Sequence, residues 1–330
     1  MASRAGPAPD HPERLEEAVI NHLSRDYLRQ TLEHDVRTGL VSDPKWLPPK
    51  WFYDSRGSEL FSQITRLEEY YPTRRELAIL RERVADIARE SGADTLIELG
   101  SGTSEKTVLL LDTLRPKAYY PVDVDAVTLG DAVSRLSAKY PDMEIEGVCA
   151  DFERHLGLLP GEGRRMVAFL GGTIGNLDPA ARELFLKDLR SSLRPGDTFL
   201  LGSDLVKDVG RLVAAYDDAQ GVTAAFNRNV LHVINERLGA DFDPDSFAHV
   251  ALYDEDEDWI EMRLRALRPM RAHVLDLDVD FAEGEEIRTE ISAKFRREGL
   301  TAELDKAGFD VVRWDTDPAG DFALSLSVRR

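Results

Sequence analysis

The feature that most constrains this chain is a turn at the junction of two periodicities. Ile97-Glu98-Leu99-Gly100-Ser101-Gly102-Thr103-Ser104 lies where a short apolar run stops and helical spacing starts. Glycines there let the backbone approach a ligand and turn helix N–H groups toward it. The same turn also serves as a plain tight turn, so it does not stand alone. The run before it, Ala93 to Leu99, predicts a buried strand, and the residues from about 104 to 114 predict a helix. Further apolar strand candidates follow at 118–123, 144–149, 165–171 and 197–203, with helical patterns between most of them. Such alternation predicts βαβ units and a parallel sheet.

Upstream, residues 1–13 are rich in Pro, Ala and charge and read as a loose tail. Helical periodicity covers 14–40 through Leu15, Val19, Ile20, Leu23, Leu28 and Leu32, and prolines break it over 43–58. Thr73 followed by Glu76 predicts a capping box opening a helix over about 74–91, with Leu77, Leu80, Val84 and Ile87 on one stripe. Residues 205–270 change character. They predict amphipathic helices at Leu212–Asp218 and Val222–Leu238, then strands at His249–Tyr253 and Trp259–Ala266. Strict alternation over 273–281 and over TEISAKF at 289–295 predicts more strands. A helix near 298–307 and an antiparallel pair, Val311–Trp314 with Phe322–Val328, close the chain.

Charge excludes some roles. Sixty-one acids against 42 bases leave a formal charge of −19. A surface that negative repels phosphate backbones and anionic membrane faces, so no nucleic-acid or membrane partner is expected. No run approaches the length of a spanning helix and the start lacks an apolar leader region, so the expected location is cytoplasmic. The single cysteine, Cys149, reads as a small buried hydrophobe, and the seven histidines show no ligand spacing, so no metal is expected. The run Asp254 to Asp258 reads as a solvated turn.

The carboxylates sharpen the turn. A dinucleotide fingerprint wants a third glycine where this chain has Glu105, which disfavours a pyrophosphate and a nicotinamide oxidoreductase. Asp123 ends the next strand, where a carboxylate can accept both hydroxyls of a ribose. Asp151 ends the third, with Phe152 beside it to cover a base. Acids at three consecutive strand ends, with no phosphate-binding glycine, resemble the class I S-adenosylmethionine-dependent methyltransferases. Lys106 is either a solvated lysine or the partner of the cofactor's methionine carboxylate.

At finer grain the chain resembles the histidine Nα-methyltransferases of ergothioneine biosynthesis. The resemblance rests on PKWLPPKWFYDSRGSELFSQITRLEEYYPTR, ELGSGTSEKT, PVDVDA, CADFERHLG, FLGGTIGNL, GSDLVKD, AYDDAQGVTAAFNRNVL, TEISAKF and WDTDPAGDFALSL. They span nearly everything from about residue 20 onward. The family implies a Rossmann-like α/β methyltransferase sheet with a second, α+β substrate-binding domain. Here that places the sheet domain at 74–204 and 295–330, and the substrate domain at 14–73 and 205–294. It implies transfer of three methyl groups from S-adenosylmethionine to the α-amine of L-histidine, giving hercynine. By motif, Gly100, Lys106, Asp123, Asp151 and Phe152 fall at the cofactor contacts. Asn176 and Tyr216 fall where the family holds the histidine carboxylate, and Tyr70, Glu290 and Ser292 where it holds the imidazole. Tyr53 falls near the reacting amine, and Met262 at the pocket wall.

Read without the family, several of these have plainer roles. Tyr53, Tyr70 and Tyr216 suit half-buried core tyrosines, Met262 suits core, Asn176 a helix cap, and Glu290 a solvated strand face. Glu290 and Ser292 do share one face of a strand, so together they could bond both imidazole nitrogens. Two other functions remain open on sequence: an N-methyltransferase of the same fold acting on another amino acid or small amine, and a cofactor-binding protein without turnover. The absence of an apolar heptad seam and the high charge lean toward a monomer.

Overall fold

The structure is a computed structural model that describes residues 18–102 and 106–330. The tail expected at 1–13, and Glu105 with its neighbours Thr103 and Ser104, lie outside the described residues.

In chain order the first half runs β1 (Val19–Asn21), α1 (Tyr27–Gly39), β2 (Lys45–Trp46), α2 (Ser55–Ile64), α3 (Pro72–Ser91), β3 (Thr95–Leu99), α4 (Thr107–Leu114), β4 (Ala118–Asp123), α5 (Ala126–Lys139), β5 (Glu144–Ile145), β6 (Gly147–Cys149) and β7 (Arg165–Phe169). Then come α6 (Pro179–Ser192), β8 (Thr198–Asp204), α7 (Val209–Tyr216), α8 (Val222–Leu238), β9 (Phe247–Asp254), β10 (Trp259–Ala266), β11 (Met270–Val274), β12 (Leu277–Phe281) and β13 (Glu286–Ala293). The end is α9 (Arg297–Ala307), β14 (Phe309–Thr316) and β15 (Phe322–Arg329).

The main sheet has the order β1-β6-β4-β3-β7-β8-β15-β14, with β5 attached to β4. Strands β1 to β8 in it are parallel. The hairpin β14–β15 adds to β8 in antiparallel fashion. Alternate residues face opposite sides. Leu96, Tyr119, Met166, Ala168 and Leu200 pack with Ile79, Leu80, Leu110 and Leu111 of α3 and α4. Ile97, Tyr120, Val167, Phe169 and Phe199 pack on the other side with Phe185 and Leu189 of α6 and Leu300 and Leu304 of α9. Both faces are covered, as a parallel sheet needs. The chain leaves β3 toward β4 but leaves β7 toward β8, so the order reverses between them. Ligands sit outside the carboxyl ends of strands at such a reversal.

A second sheet, β2-β13-β10-β9, has its own core. Leu32, Val36, Trp51, Phe52, Phe226, Val230, Leu264 and Ile287 meet there, drawn from α1, the short helical turn Pro49–Phe52, α8 and the sheet, and Ala272 and Phe281 of the hairpin β11–β12 close it. Strand β13 belongs to both layers. Ile287 enters this core, whereas Ile291 and Ala293 enter that of the main sheet. The change comes at a register shift opposite Met262 and Arg263. A bulge re-aims the side chains that follow it, and here Glu290 follows.

Four local expectations are corrected. The helix expected from 14 starts only at Tyr27, because Val19 and Ile20 pair with Gly147 and Val148 as an edge strand. The capping box is absent: α3 starts at Pro72, and the Glu76 carboxylate accepts from Gly171 N and Lys106 Nζ instead. The strand at 144–149 is split at Glu146. The alternation over 273–281 contains a turn, with Leu275 at φ 58°, so it forms parts of two strands.

One buried pair ties the strands below the site. Arg165 at the start of β7 donates through Nε to Asp197 Oδ2 at 2.9 Å and through its backbone N to Oδ1 at 3.0 Å. Both side chains are almost fully buried. Asp197→Ala leaves the guanidinium buried without its counter-charge, and a loss of about 3–5 kcal/mol is expected. Urea unfolding of the variant against the parent measures it.

Candidate active site

The turn after β3 is held by the strand beside it. Gly100 N donates to Val122 O at 2.9 Å, and Gly102 N donates to Asp123 Oδ2 at 3.0 Å. Gly100 has φ 63°, where a side chain is strained. A Cβ there would also come to 3.8 Å from the Phe152 ring, so Gly100 and Phe152 face the same space. Burial pushes the Asp123 carboxyl up, and the backbone N–H groups of Gly102, Asp125 and Val124 oppose that. Asp151 accepts from Glu153 N at 2.9 Å and from Tyr27 OH at 2.7 Å. Phe152 stands edge-on to Phe169, with centroids 5.1 Å apart. Lys106 Nζ meets Glu76 Oε2 at 2.6 Å. Glu76 is fully buried, and its Oε1 lies against Gly202, where a Cβ would come to 2.3 Å.

These residues fit a nucleoside bearing an amino-acid tail. Carboxylates stand at two strand ends, an aromatic face lies beside them, and an ammonium stands at the start of α4. The Ser101 hydroxyl, buried in the same turn, has no hydrogen-bond partner among the described residues.

A second group faces this one. Glu290, Ser292 and Lys294 follow each other on one face of β13 and its extension. Ser292 Oγ lies 2.7 Å from Tyr216 OH. Lys294 Nζ donates to Ser292 Oγ at 2.8 Å and to Tyr216 OH at 3.0 Å, and it pairs with Asp204 Oδ2 at 3.0 Å. Asn176 Nδ2 donates to Glu290 Oε1 at 2.9 Å and to Ile291 O at 2.8 Å. Both its N–H groups are thus used, so holding a carboxylate requires one of them to change partner. Burial pushes the Glu290 carboxyl up to about 7; the Asn176 bond and the Lys294 charge pull the other way.

Aromatic rings close the space. Tyr53 stands edge-on to Phe61 and Phe226, at 5.5 and 5.3 Å. Tyr70 stands edge-on to Phe61 and Tyr216, at 6.1 and 6.4 Å. Tyr53 is 46% exposed, while Tyr70, Tyr216 and Met262 are buried. One side of Tyr53 is open, but desolvation at its hydroxyl end, then the charge of Glu290, Tyr216 and Asp123, push that hydroxyl well above the ordinary range. Its hydroxyl thus feels the charge of both the strand-end group and the β13 group. Met262 lies opposite Glu290 across the β10–β13 ladder.

Residues 32–329 match the sequence profile of the family described as histidine-specific methyltransferase, SAM-dependent. The chain belongs to that family. It is 59% identical to the histidine N-alpha-methyltransferase of Mycolicibacterium smegmatis over 318 residues, covering 94% of this chain and 99% of that one. It is 56% identical, with the same coverage, to the histidine N-alpha-methyltransferase of Mycobacterium tuberculosis. It is 33% identical over 226 residues to ergothioneine biosynthesis protein 1 of Schizosaccharomyces pombe, covering 64% of this chain and 29% of that one. S-adenosylmethionine is the methyl donor of this methyltransferase family.

Several site residues escaped sequence reasoning: Glu76, Lys294, Asp204, Tyr71, Tyr27, Phe61 and Phe226. Lys294 alone had a local signal, since it continues the alternation of Glu290 and Ser292.

The Glu290 shift has a consequence for stability. Its folded pKa, about 7, lies above the ordinary carboxyl value. Between those values the folded state keeps a proton that the unfolded chain has released, so stability falls as pH rises through that window. Glu290→Gln removes the titration. It is expected to raise the unfolding free energy at pH 8 by about 1–3 kcal/mol and to change it little at pH 4.5. Urea unfolding of the ligand-free enzyme at both pH values checks this.

Proposed function

We propose that this enzyme transfers three methyl groups from S-adenosylmethionine to the α-amine of L-histidine, giving hercynine, the first step of ergothioneine biosynthesis. The observation that carries the reading is the pair Glu290 and Ser292, set on one face of β13, with Tyr216 2.7 Å from Ser292 and an aromatic wall beside it. A carboxylate and a hydroxyl spaced two residues along a strand suit the two ring nitrogens. Tyr70 packs beside them at the imidazole, and Met262 forms the wall. Tyr216 and Asn176 take the carboxylate, with Asn176 giving up one of its present partners. Gly100, Lys106, Asp123, Asp151 and Phe152 hold the cofactor.

The cofactor's sulfonium supplies the methyl group. The enzyme supplies position. An α-amino group loses its proton near pH 7.7–8.0 in peptides, so no strong base is required. Tyr53 is a poor base, because a phenol keeps its proton to about pH 10 and desolvation at this hydroxyl raises that further. Its role is to orient the amine by a hydrogen bond and keep its lone pair in line. Tyr53, Phe61 and Phe226 together form a wall for the quaternary ammonium that ends the reaction. The segments expected at 14–73 and 205–294 make up the substrate-binding domain, except that Val19–Asn21 joins the edge of the main sheet, and 74–204 with 295–330 make up the methyltransferase domain. Among the described residues no helix is long and apolar enough to cross a membrane, and we read the enzyme as a cytoplasmic monomer.

The test is mass spectrometry of the purified enzyme with S-adenosylmethionine and the twenty amino acids. Histidine alone should gain methyl groups, and it should gain three. Methylation of another amino acid instead would sink the histidine assignment. Tyr53→Phe should lower kcat/KM by up to about 10²-fold and accumulate mono- and dimethylated histidine. Unchanged turnover and methylation number would remove the orienting role.

A further inference from the structure

His249 on β9 is an almost fully buried ring that the chemistry proposed above does not use. Its Nε2 lies 2.8 Å from the backbone carbonyl of Tyr216, and its Nδ1 lies 2.8 Å from Asn227 Nδ2. These partners fix the tautomer. A carbonyl oxygen only accepts, so Nε2 carries the proton. Asn227 Nδ2 also donates to Arg263 O at 3.1 Å, which requires the amide nitrogen on that side, so Nδ1 is bare and accepts. Asn227 Oδ1 then faces Thr289 Oγ1, which donates to it at 2.6 Å. Burial holds the ring below the ordinary histidine range and the Arg228 charge adds to this, while the Tyr216 carbonyl, Asp217 and Asp218 oppose it. The ring is therefore neutral at pH 7. An imidazolium would set a second N–H against the Asn227 amide.

The place of this ring gives it a use. The last carbonyls of a helix have no partner within it. Tyr216 is the final residue of α7, and Asp217 leaves the helix with φ −142°. His249 takes the Tyr216 carbonyl, so a side chain from the second sheet caps the helix. The same ring leads through Asn227 of α8 to Thr289, the residue before Glu290. One line of hydrogen bonds thus joins the backbone of Tyr216 to the strand that carries Glu290 and Ser292. The Tyr216 hydroxyl meets that strand separately, at Ser292. Tyr216 is held against β13 at both its backbone and its side-chain end.

We propose that His249 is a positioning residue: its Nε2–H fixes the end of α7, so that Tyr216 meets the acceptor's carboxylate while Glu290 and Ser292 meet its ring. This rests on the reading that Tyr216, Glu290 and Ser292 hold the acceptor.

The experiment compares His249→Gln with His249→Leu in the whole chain. A glutamine amide reaches the place of Nε2 and donates to the Tyr216 carbonyl; leucine fills similar space and donates nothing. In His249→Leu, kcat/KM for histidine should fall by about 10–100-fold, the scale of a misplaced holding group. In His249→Gln it should stay near the parent value, and the affinity for S-adenosylhomocysteine should stay near the parent value in both. Nitrogen NMR of the parent at pH 7, with nitrogen-15 in its histidine rings, should show a protonated Nε2 and a bare Nδ1 on the ring whose signals vanish in His249→Gln. A bare Nε2 on that ring overturns the proposal. Equal losses in the two variants overturn it too, as does a fall in cofactor affinity as large as the fall in kcat/KM for histidine. Where His249→Leu binds no S-adenosylhomocysteine, His249→Asn takes its place and its role in the comparison, because an asparagine amide reaches Asn227 but not the Tyr216 carbonyl. Tyr216→Phe separates the two readings. Parent kcat/KM for histidine there sinks the reading of Tyr216 as an acceptor contact, whereas a loss there with none in His249→Leu sinks the role of His249 alone.

Discussion

The site depends on one buried carboxylate, Asp204. It ends β8 and accepts from Tyr71 OH at 2.8 Å, from Lys207, and from Lys294 at 3.0 Å. These partners come from the start of α3, the chain after β8, and the end of β13. Burying such charges costs several kcal/mol per ion, and only close pairing with further hydrogen bonds offsets it. Any shift of β13 along the rim of the main sheet would leave a buried ammonium without its acceptor. On the proposed reading, the penalty for that shift fixes the distance between the strand ends that take the cofactor and the strand face that takes the acceptor. In-line transfer depends on that distance.

The carboxylates divide by environment. Asp123 accepts backbone N–H groups at the end of its strand, which oppose burial without overcoming it. Glu290 receives only a neutral amide and the more distant field of Lys294, so burial wins and its pKa rises. Glu76 takes a third course, fully buried but set between a backbone N–H and Lys106. Its placement requires Gly202, where any side chain would meet its Oε1. Helix α3 thus holds Lys106 at the start of α4, although no part of α3 belongs to the turn.

Legibility in the sequence followed the range of the forces. The sheet and its strand-end acids were legible because alternation and glycine placement are local. Val222–Leu238 and Trp259–Ala266 were legible to the residue, since their apolar spacing matches the core they enter. Val19 and Ile20 were not, because their partners Gly147 and Val148 are distant in the chain. Glu76 matched a local capping pattern, and two tertiary partners outbid it. Lys294 was passed over beside Glu290 and Ser292 because a buried lysine is rare without a partner. That partner, Asp204, lies in another layer and left no mark near residue 294.

The division of labour in the pocket also suits repeated transfer. On the proposed reading, the acceptor is held at its ring and carboxylate ends by Glu290, Ser292, Tyr216 and Asn176. Those contacts do not change as methyl groups accumulate on the amine. A wall of hydrogen-bond donors and acceptors at the amine would fail, because each transfer removes an N–H and the last product has none. The edge-packed rings of Tyr53, Phe61 and Phe226 attract a cation whatever the number of its N–H groups. Anchoring at the ends that do not react, with an aromatic surface at the end that does, lets one geometry serve three different nucleophiles. It also explains why the polar residues of this site cluster on β13 and its neighbours, while the ring system comes from the segment between α1 and α3 and from α8.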